Sequence, residues 1–227
     1  MIDTKRLLEQ FMGGGQDPPG ASNRGDLLKG AAAGGLLGLL VGNKKARRMA
    51  GGLVGYGGAA AAGALAFKAW QNWQEGKRVE TAPVATQEDV AHVDPRFLPD
   101  SQQGGNGRPF ALTLVTAMIA AAKADGHIDA GEQTAIFKQV EEMGLDTESK
   151  AFVFDALNRP VDINQLVAGV DGVEQASEVY LVSRLAIDVD HPAERAHLEV
   201  LANRLGLPTE LVAHLDHQVD DAPDQTG

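Results

Sequence analysis

The thirteen residues Ala120-Ala-Ala-Lys-Ala-Asp-Gly-His-Ile-Asp-Ala-Gly-Glu132 limit the possible folds more than any other stretch. An apolar run with helical spacing closes on Asp125-Gly126. Asp129 and Glu132 then open a second helix with the spacing of a capping box. A shorter version, Ala186-Ile-Asp-Val-Asp-His-Pro-Ala-Glu194, follows further along the chain. Each motif holds a carboxylate near a helix end, a tight turn, and a glutamate inside the next helix.

The residues around these junctions read as helix throughout. The spacing predicts helices near 110–124, 129–143, 147–157, 163–170, 172–187, 192–205 and 208–219. Gly144 and Gly206 stand where a left-handed residue ends a helix, and Pro192 and Pro208 suit first helical positions. The core face is expected from Leu112, Val115, Ile119, Ile136, Val140, Phe152, Phe154, Leu157, Leu166, Val179, Leu181, Val182, Leu185, Leu198, Leu201, Leu205, Leu211 and Leu215. No alternating apolar run suggests a sheet, so the fold class is all-α, with this domain over 109–220 and a short tail over 221–227.

The N-terminal half has a different grammar. Within residues 1–25, 1–12 read as an amphipathic helix with Leu7, Leu8, Phe11 and Met12 on one face, and 13–25 as a flexible Gly/Pro/Asn/Ser link. Over 26–73, Gly30, Gly34, Gly38 and Gly42 recur every four residues. After the basic cluster Lys44-Lys45-Ala-Arg47-Arg48, the register resumes with Gly51, Gly55, Ala59 and Gly63. Glycine is costly inside a water-exposed helix, whereas in lipid small residues at this spacing let helices approach closely. The expectation is a glycine-zipper membrane segment, capable of homo-oligomer contacts through Gly30, Gly34, Gly38, Gly51, Gly55 and Gly63. Met49–Phe67 carries no charge and is roughly long enough for the ~30 Å hydrocarbon layer; 31–42 is too short to cross alone. One span or a hairpin both remain open. Trp70 and Trp73 fall where interfacial aromatics belong. The positive-inside rule, applied to Lys44–Arg48, puts the C-terminal domain outside, although basic residues also follow the span. Residues 74–108, rich in proline and polar side chains, read as a disordered linker.

Charge and composition narrow the chemistry. Residues 1–108 carry 13 Lys and Arg against 10 Asp and Glu, while 109–227 carry 7 against 21. So acidic a domain repels phosphates, which argues against nucleic acid and for cations or basic partners. Cysteine is absent, which removes disulfides, thiolate ligands and cysteine nucleophiles.

If the two acidic junctions face each other, Asp125, Asp129, Glu132, Asp188, Asp190 and Glu194 converge. Such a cluster raises its own pKa values or recruits a cation, and an all-oxygen set favours calcium, magnesium or manganese. Helix capping alone accounts equally for Asp129, Glu132 and Glu194, but not for Asp125 or Asp188 near helix C-termini. The spacing is not that of an EF-hand. Glu194 and His197 form one Glu-x-x-His step, but Ala135 stands where a second step would need histidine, which disfavours a di-iron site. His127 and His191 read as turn residues, His214 and His217 as surface ones. No nucleophile elbow, P-loop or dinucleotide fingerprint is present.

The segments 124–132 and 186–194, with the following Leu198-x-x-Leu201-Ala202, resemble the tellurite-resistance TerB-like helical domain. The whole chain resembles the bacterial family typified by the inner-membrane protein YebE. That resemblance implies a bundle of about seven helices, an inner-membrane location, and the same six acids as a proposed metal set. His191 stands near where a counterpart of Asp129 is expected, so the halves are not equivalent. The functional expectation is a membrane-anchored, non-enzymatic module that binds a divalent cation or basic partner in envelope or metal stress response. The alternative is a glycine-zipper membrane oligomer with the helical domain as a protein-interaction spacer.

Overall fold

Local chemistry explains where the helices start. Asp146 accepts from the Ser149 N–H at 2.9 Å and Asp162 from Asn164 at 2.9 Å; each supplies one of the acceptors that a helix N-terminus lacks. In the computed structural model, described for residues 2–12, 58–99, 102–124, 145–160, 162–187, 189 and 191–221, every regular element among them is helical. The α-helices are α1 (Thr4–Met12), α2 (Gly58–Gln74), α3 (Gln87–Ala91), α4 (Phe110–Ala122), α5 (Thr147–Asn158), α6 (Ile163–Val167), α7 (Gly172–Leu185), α8 (Pro192–Arg204) and α9 (Thr209–Asp220). From α4 onward they match the expected positions closely, and the expected 129–143 helix lies outside the described residues.

Helix α7 is the axis of the bundle. Every residue from Gln175 to Arg184 is buried, because α2, α4, α8 and α9 all pack against it. A helix enclosed on all sides cannot sort its residues into an apolar and a wet face.

The apolar face expected on α1 is real, but its partner is protein. Leu7, Leu8 and Phe11 are fully buried and Met12 nearly so, with α1 lying against α4 and α2. At about 1.5–3 kcal/mol gross per large side chain, the four anchor α1 firmly to the domain. Their cluster also holds Ala62, Leu65, Ala66 and Ala69 of α2.

Helix α2 bears on three expectations. Its first ten residues are the end of the uncharged stretch read as a span, yet they pack into the bundle against α7 and α9. Among the described residues no helix is long and apolar enough to cross a membrane. Trp70 and Trp73, expected at a lipid interface, are half-buried against the core. Trp70 stacks with Phe67 at a centroid distance of 6.3 Å and meets Phe97 tilted by 54° at 5.9 Å, and the Arg96 guanidinium lies 5.2 Å above its ring. Gly63, expected in a zipper with another membrane helix, instead meets the Phe97 carbonyl. A Cβ there would sit 2.0 Å from that oxygen. Gly30, Gly34, Gly38, Gly51 and Gly55 lie outside the described residues.

Gly63→Ala is accordingly expected to destabilise the domain by at least about 2 kcal/mol, since backbone must shift to admit the methyl. Thermal unfolding of the full chain measures it. An unchanged midpoint would show that the 95–98 turn is free to move away.

The linker expected over 74–108 is also corrected. Residues 77–99 form a strap across α2 and α9, and proline and polar residues hold it in place. Asn72, buried in α2, donates to the Pro83 carbonyl at 2.9 Å. Gln218, buried in α9, accepts from the Ala85 N–H at 2.7 Å and donates to the Pro83 carbonyl at 3.1 Å. Buried peptide groups need such partners, and these two amides meet the need where no sheet or helix does. Further along, a Cβ on Gly104 would lie 2.2 Å from the Gly169 carbonyl. Glycine there marks close packing of two backbones rather than flexibility.

Candidate functional site: the acidic turn and the charges beneath it

Of the six acids expected to converge, Asp125, Asp129, Glu132, Asp188 and Asp190 lie outside the described residues, as does His127. Glu194 is described, and it caps a helix. Its Oε2 accepts from the His191 N–H at 3.3 Å, while His191 Nδ1 accepts from the Ala193 N–H at 3.2 Å. That reciprocal pair is a capping box with histidine in the usual Ser/Thr place. Among the described residues no three His, Asp or Glu side chains are grouped to hold a metal ion.

The turn between α7 and α8 is strained. Val189 has φ of 57°, a left-handed conformation that costs a β-branched residue about 1–3 kcal/mol. Two arginines support it: Arg195 Nη1 donates to the Val189 carbonyl at 2.8 Å and Arg184 Nη1 to that of Ile187 at 3.5 Å. Both carbonyls thus already face guanidinium groups.

Arg184 continues inward. With its side chain only 7% exposed, it pairs with Asp220 at 2.8 Å and with Asp216 at 3.4 Å. Tyr180 donates its hydroxyl to Asp216 at 3.0 Å. Burial pushes the Asp216 carboxyl above its ordinary value, against the pull of Tyr180 and Arg184. Burial, reinforced by the Asp216 charge, also raises the Tyr180 phenol. The network ties α7 to α9 and holds one end of the acidic turn.

A family model for proteins of unknown function, DUF533, matches residues 26–219. The chain belongs to the DUF533 family. It is also 35% identical over 98 residues to a Yersinia enterocolitica protein described as an uncharacterized protein in the ampR 5' region. That match covers 43% of this chain and 70% of the relative. No solved structure matches it.

The DUF533 match takes in both the glycine-rich segment and the helical domain, so the two are parts of one family unit. Within that unit the structure adds residues that the sequence did not single out. Glu178 of α7 is completely buried, and neither carboxyl oxygen has a hydrogen-bond partner. Burial alone raises it well above the ordinary carboxyl range. His214 and His217 are not on the surface as expected. His214 is 2% exposed with Nδ1 unpartnered, and burial holds its pKa down. His217 binds the strap, its Nε2 lying 2.8 Å from the Ala82 carbonyl and its Nδ1 2.7 Å from Asp221. His197 has an unpartnered Nε2 and a pKa depressed by burial, while its would-be ligand partner Glu194 is engaged in the cap. The only sequence signal for Glu178 was its place immediately before the apolar run Val179-Tyr-Leu-Val182.

Proposed function

We propose that this DUF533 chain is a non-enzymatic module held at a membrane surface, presenting an acidic helical domain to a divalent cation or a basic partner segment. One observation carries the attachment reading. Helices α1 and α2 pack into one core, and between them the sequence runs 45 residues, from Gly13 to Gly57, with its glycine repeats and the cluster Lys44-Lys45-Ala-Arg47-Arg48. Both flanks belong to one folded body, so both lie on the same side of any membrane the segment touches. A single crossing conflicts with that. The uncharged stretch left before α2, Met49–Gly57, would reach about 14 Å as a helix, half of the ~30 Å layer. Attachment to the surface fits better, with the basic cluster drawn to anionic headgroups at about 1 kcal/mol per residue. This replaces the one-span reading and its outside orientation.

The cation arm rests on the sequence pattern of the TerB-like motifs at Asp125, Asp129, Glu132, Asp188, Asp190 and Glu194. The strained turn beside Asp188 and Asp190 supports it; the capping role of Glu194 weighs against that residue as a ligand. The glycine-zipper alternative now draws on Gly30, Gly34, Gly38, Gly51 and Gly55 without Gly63.

Flotation of the full chain with vesicles tests the reading. Binding is expected to phosphatidylcholine vesicles containing phosphatidylglycerol and not to phosphatidylcholine alone. It should fall at high salt and on replacing Lys44, Lys45, Arg47 and Arg48 by serine. Reporters fused at Met1 and Gly227 should lie on the same side of the membrane. Reporters on opposite sides, or binding indifferent to lipid charge, would overturn surface attachment. Calorimetry with calcium, magnesium and manganese tests the cation arm separately, and silence with all three removes it.

A further inference from the structure

Helices α4, α5 and α6 enclose a cleft of about 280 Å³, near the small end of ligand pockets. Its apolar lining comes from Leu112, Ile119, Phe152 and Leu166, of which Phe152 is half-buried and the others almost wholly so. Four charged side chains stand around it: Arg108, Asp155, Arg159 and Asp162. Three are already engaged. Asp155 and Arg159 pair with each other at 2.9 Å, and Asp162 caps α6 through the N–H groups of Asn164 and Gln165. The fourth has a fixed backbone and an unclaimed head. The Arg108 N–H donates to Asn106 Oδ1 at 3.0 Å, and its carbonyl accepts from Gly104 at 2.8 Å. Among the described residues its guanidinium has no hydrogen bond or ion pair. Asn106, Thr113, Thr116 and Gln165 add polar groups to the lining; an apolar floor beside an arginine head with no partner among the described residues selects for a small molecule with an apolar body and an anionic head.

We propose that this cleft binds a small amphiphilic carboxylate, with its chain on Leu112, Ile119 and Phe152 and its head on Arg108. The inference does not depend on membrane attachment or on the acidic turn.

Ligand-observed NMR on the full chain, using octanoate, octanol and octylammonium as probes, tests it. Octanoate should bind most tightly and octylammonium least. Arg108→Glu, an exposed change with no partner to lose, should weaken octanoate about tenfold, the scale of one charge-assisted hydrogen bond, and leave octanol unchanged. Ala156→Phe should block octanoate and octanol together, while thermal unfolding checks that this variant folds. Equal binding of the three probes, octanoate binding that survives Arg108→Glu, or no binding of any probe would each overturn the assignment. Full activity in the vesicle assay alongside such a failure would leave surface attachment standing.

Discussion

Glu178→Met will make the protein more stable at neutral pH, by about 1–4 kcal/mol, the range for replacing a buried, uncompensated polar or charged group with an apolar one. Glu178 sits inside α7 with zero exposure and no partner on either oxygen. Its carboxyl holds a proton to a pH well above the ordinary 4.5. The unfolded chain gives up that proton first, so between the two values the folded state binds more protons than the unfolded one. Stability therefore falls as pH rises through that window, by up to about 1.36 kcal/mol per pH unit. It is greatest below the unfolded value, where the carboxyl is neutral in both states. The variant lacks this loss, so its advantage should be small near pH 4 and grow toward neutral and alkaline pH. Urea unfolding of both proteins across that range measures the difference directly, since the other titrating groups are shared. A variant that is less stable at every pH would mean that Glu178 is satisfied by something the fold holds in solution.

The same residue shows where reading the sequence runs out. Helices α4 through α9 were legible because their ends are written in short-range chemistry: Pro192 at the start of α8, Glu194 reaching back to His191, Gly206 in the left-handed region at φ of 67°. Leu112, Val179, Leu201 and Leu215 were legible as core because buried faces recur with helical period. What periodicity cannot show is a helix enclosed on every side. Nothing in the local pattern singles out Glu178 or Arg184, and their burial follows from four neighbouring helices whose arrangement is a long-range fact. Small residues in α2 misled for a related reason. Gly63 and the alanines around it permit close approach of another backbone, but the spacing does not say whether that backbone belongs to a second membrane helix or to Phe97 of the same chain. Asn72 and Gln218 stayed hidden because the strap they hold carries no periodic signal. The acidic site was legible as a pattern of spacing, and among its described members only Glu194 now has an assigned contact.

Arg184→Met is expected to destabilise the protein by about 2–3 kcal/mol at neutral pH. Removing one partner of a fully buried ion pair costs about 3–5 kcal/mol; here the carboxylates of Asp216 and Asp220 remain 37% and 45% exposed, and water screens part of the loss. The pH dependence separates this from lost packing. Asp216 already lies above its ordinary value through burial, with Tyr180 and Arg184 pulling it down. Without the guanidinium it rises further. A carboxyl with a raised folded value favours the fold when protonated and loses that contribution as pH climbs. The gap between wild type and variant should therefore be narrow near pH 3 and widen toward pH 7. Adding Asp216→Asn to the variant should recover part of the loss, because no uncompensated charge is then left facing Tyr180; contacting residues couple by about 0.5–3 kcal/mol in such cycles. A gap independent of pH, with additive single changes, would assign Arg184 to packing alone. If the gap does widen, the calcium, magnesium and manganese titrations should be repeated on this variant. Arg184 also holds the Ile187 carbonyl, one residue before Asp188, so any ion bound at that turn should feel the loss of a neighbouring positive charge as tighter binding.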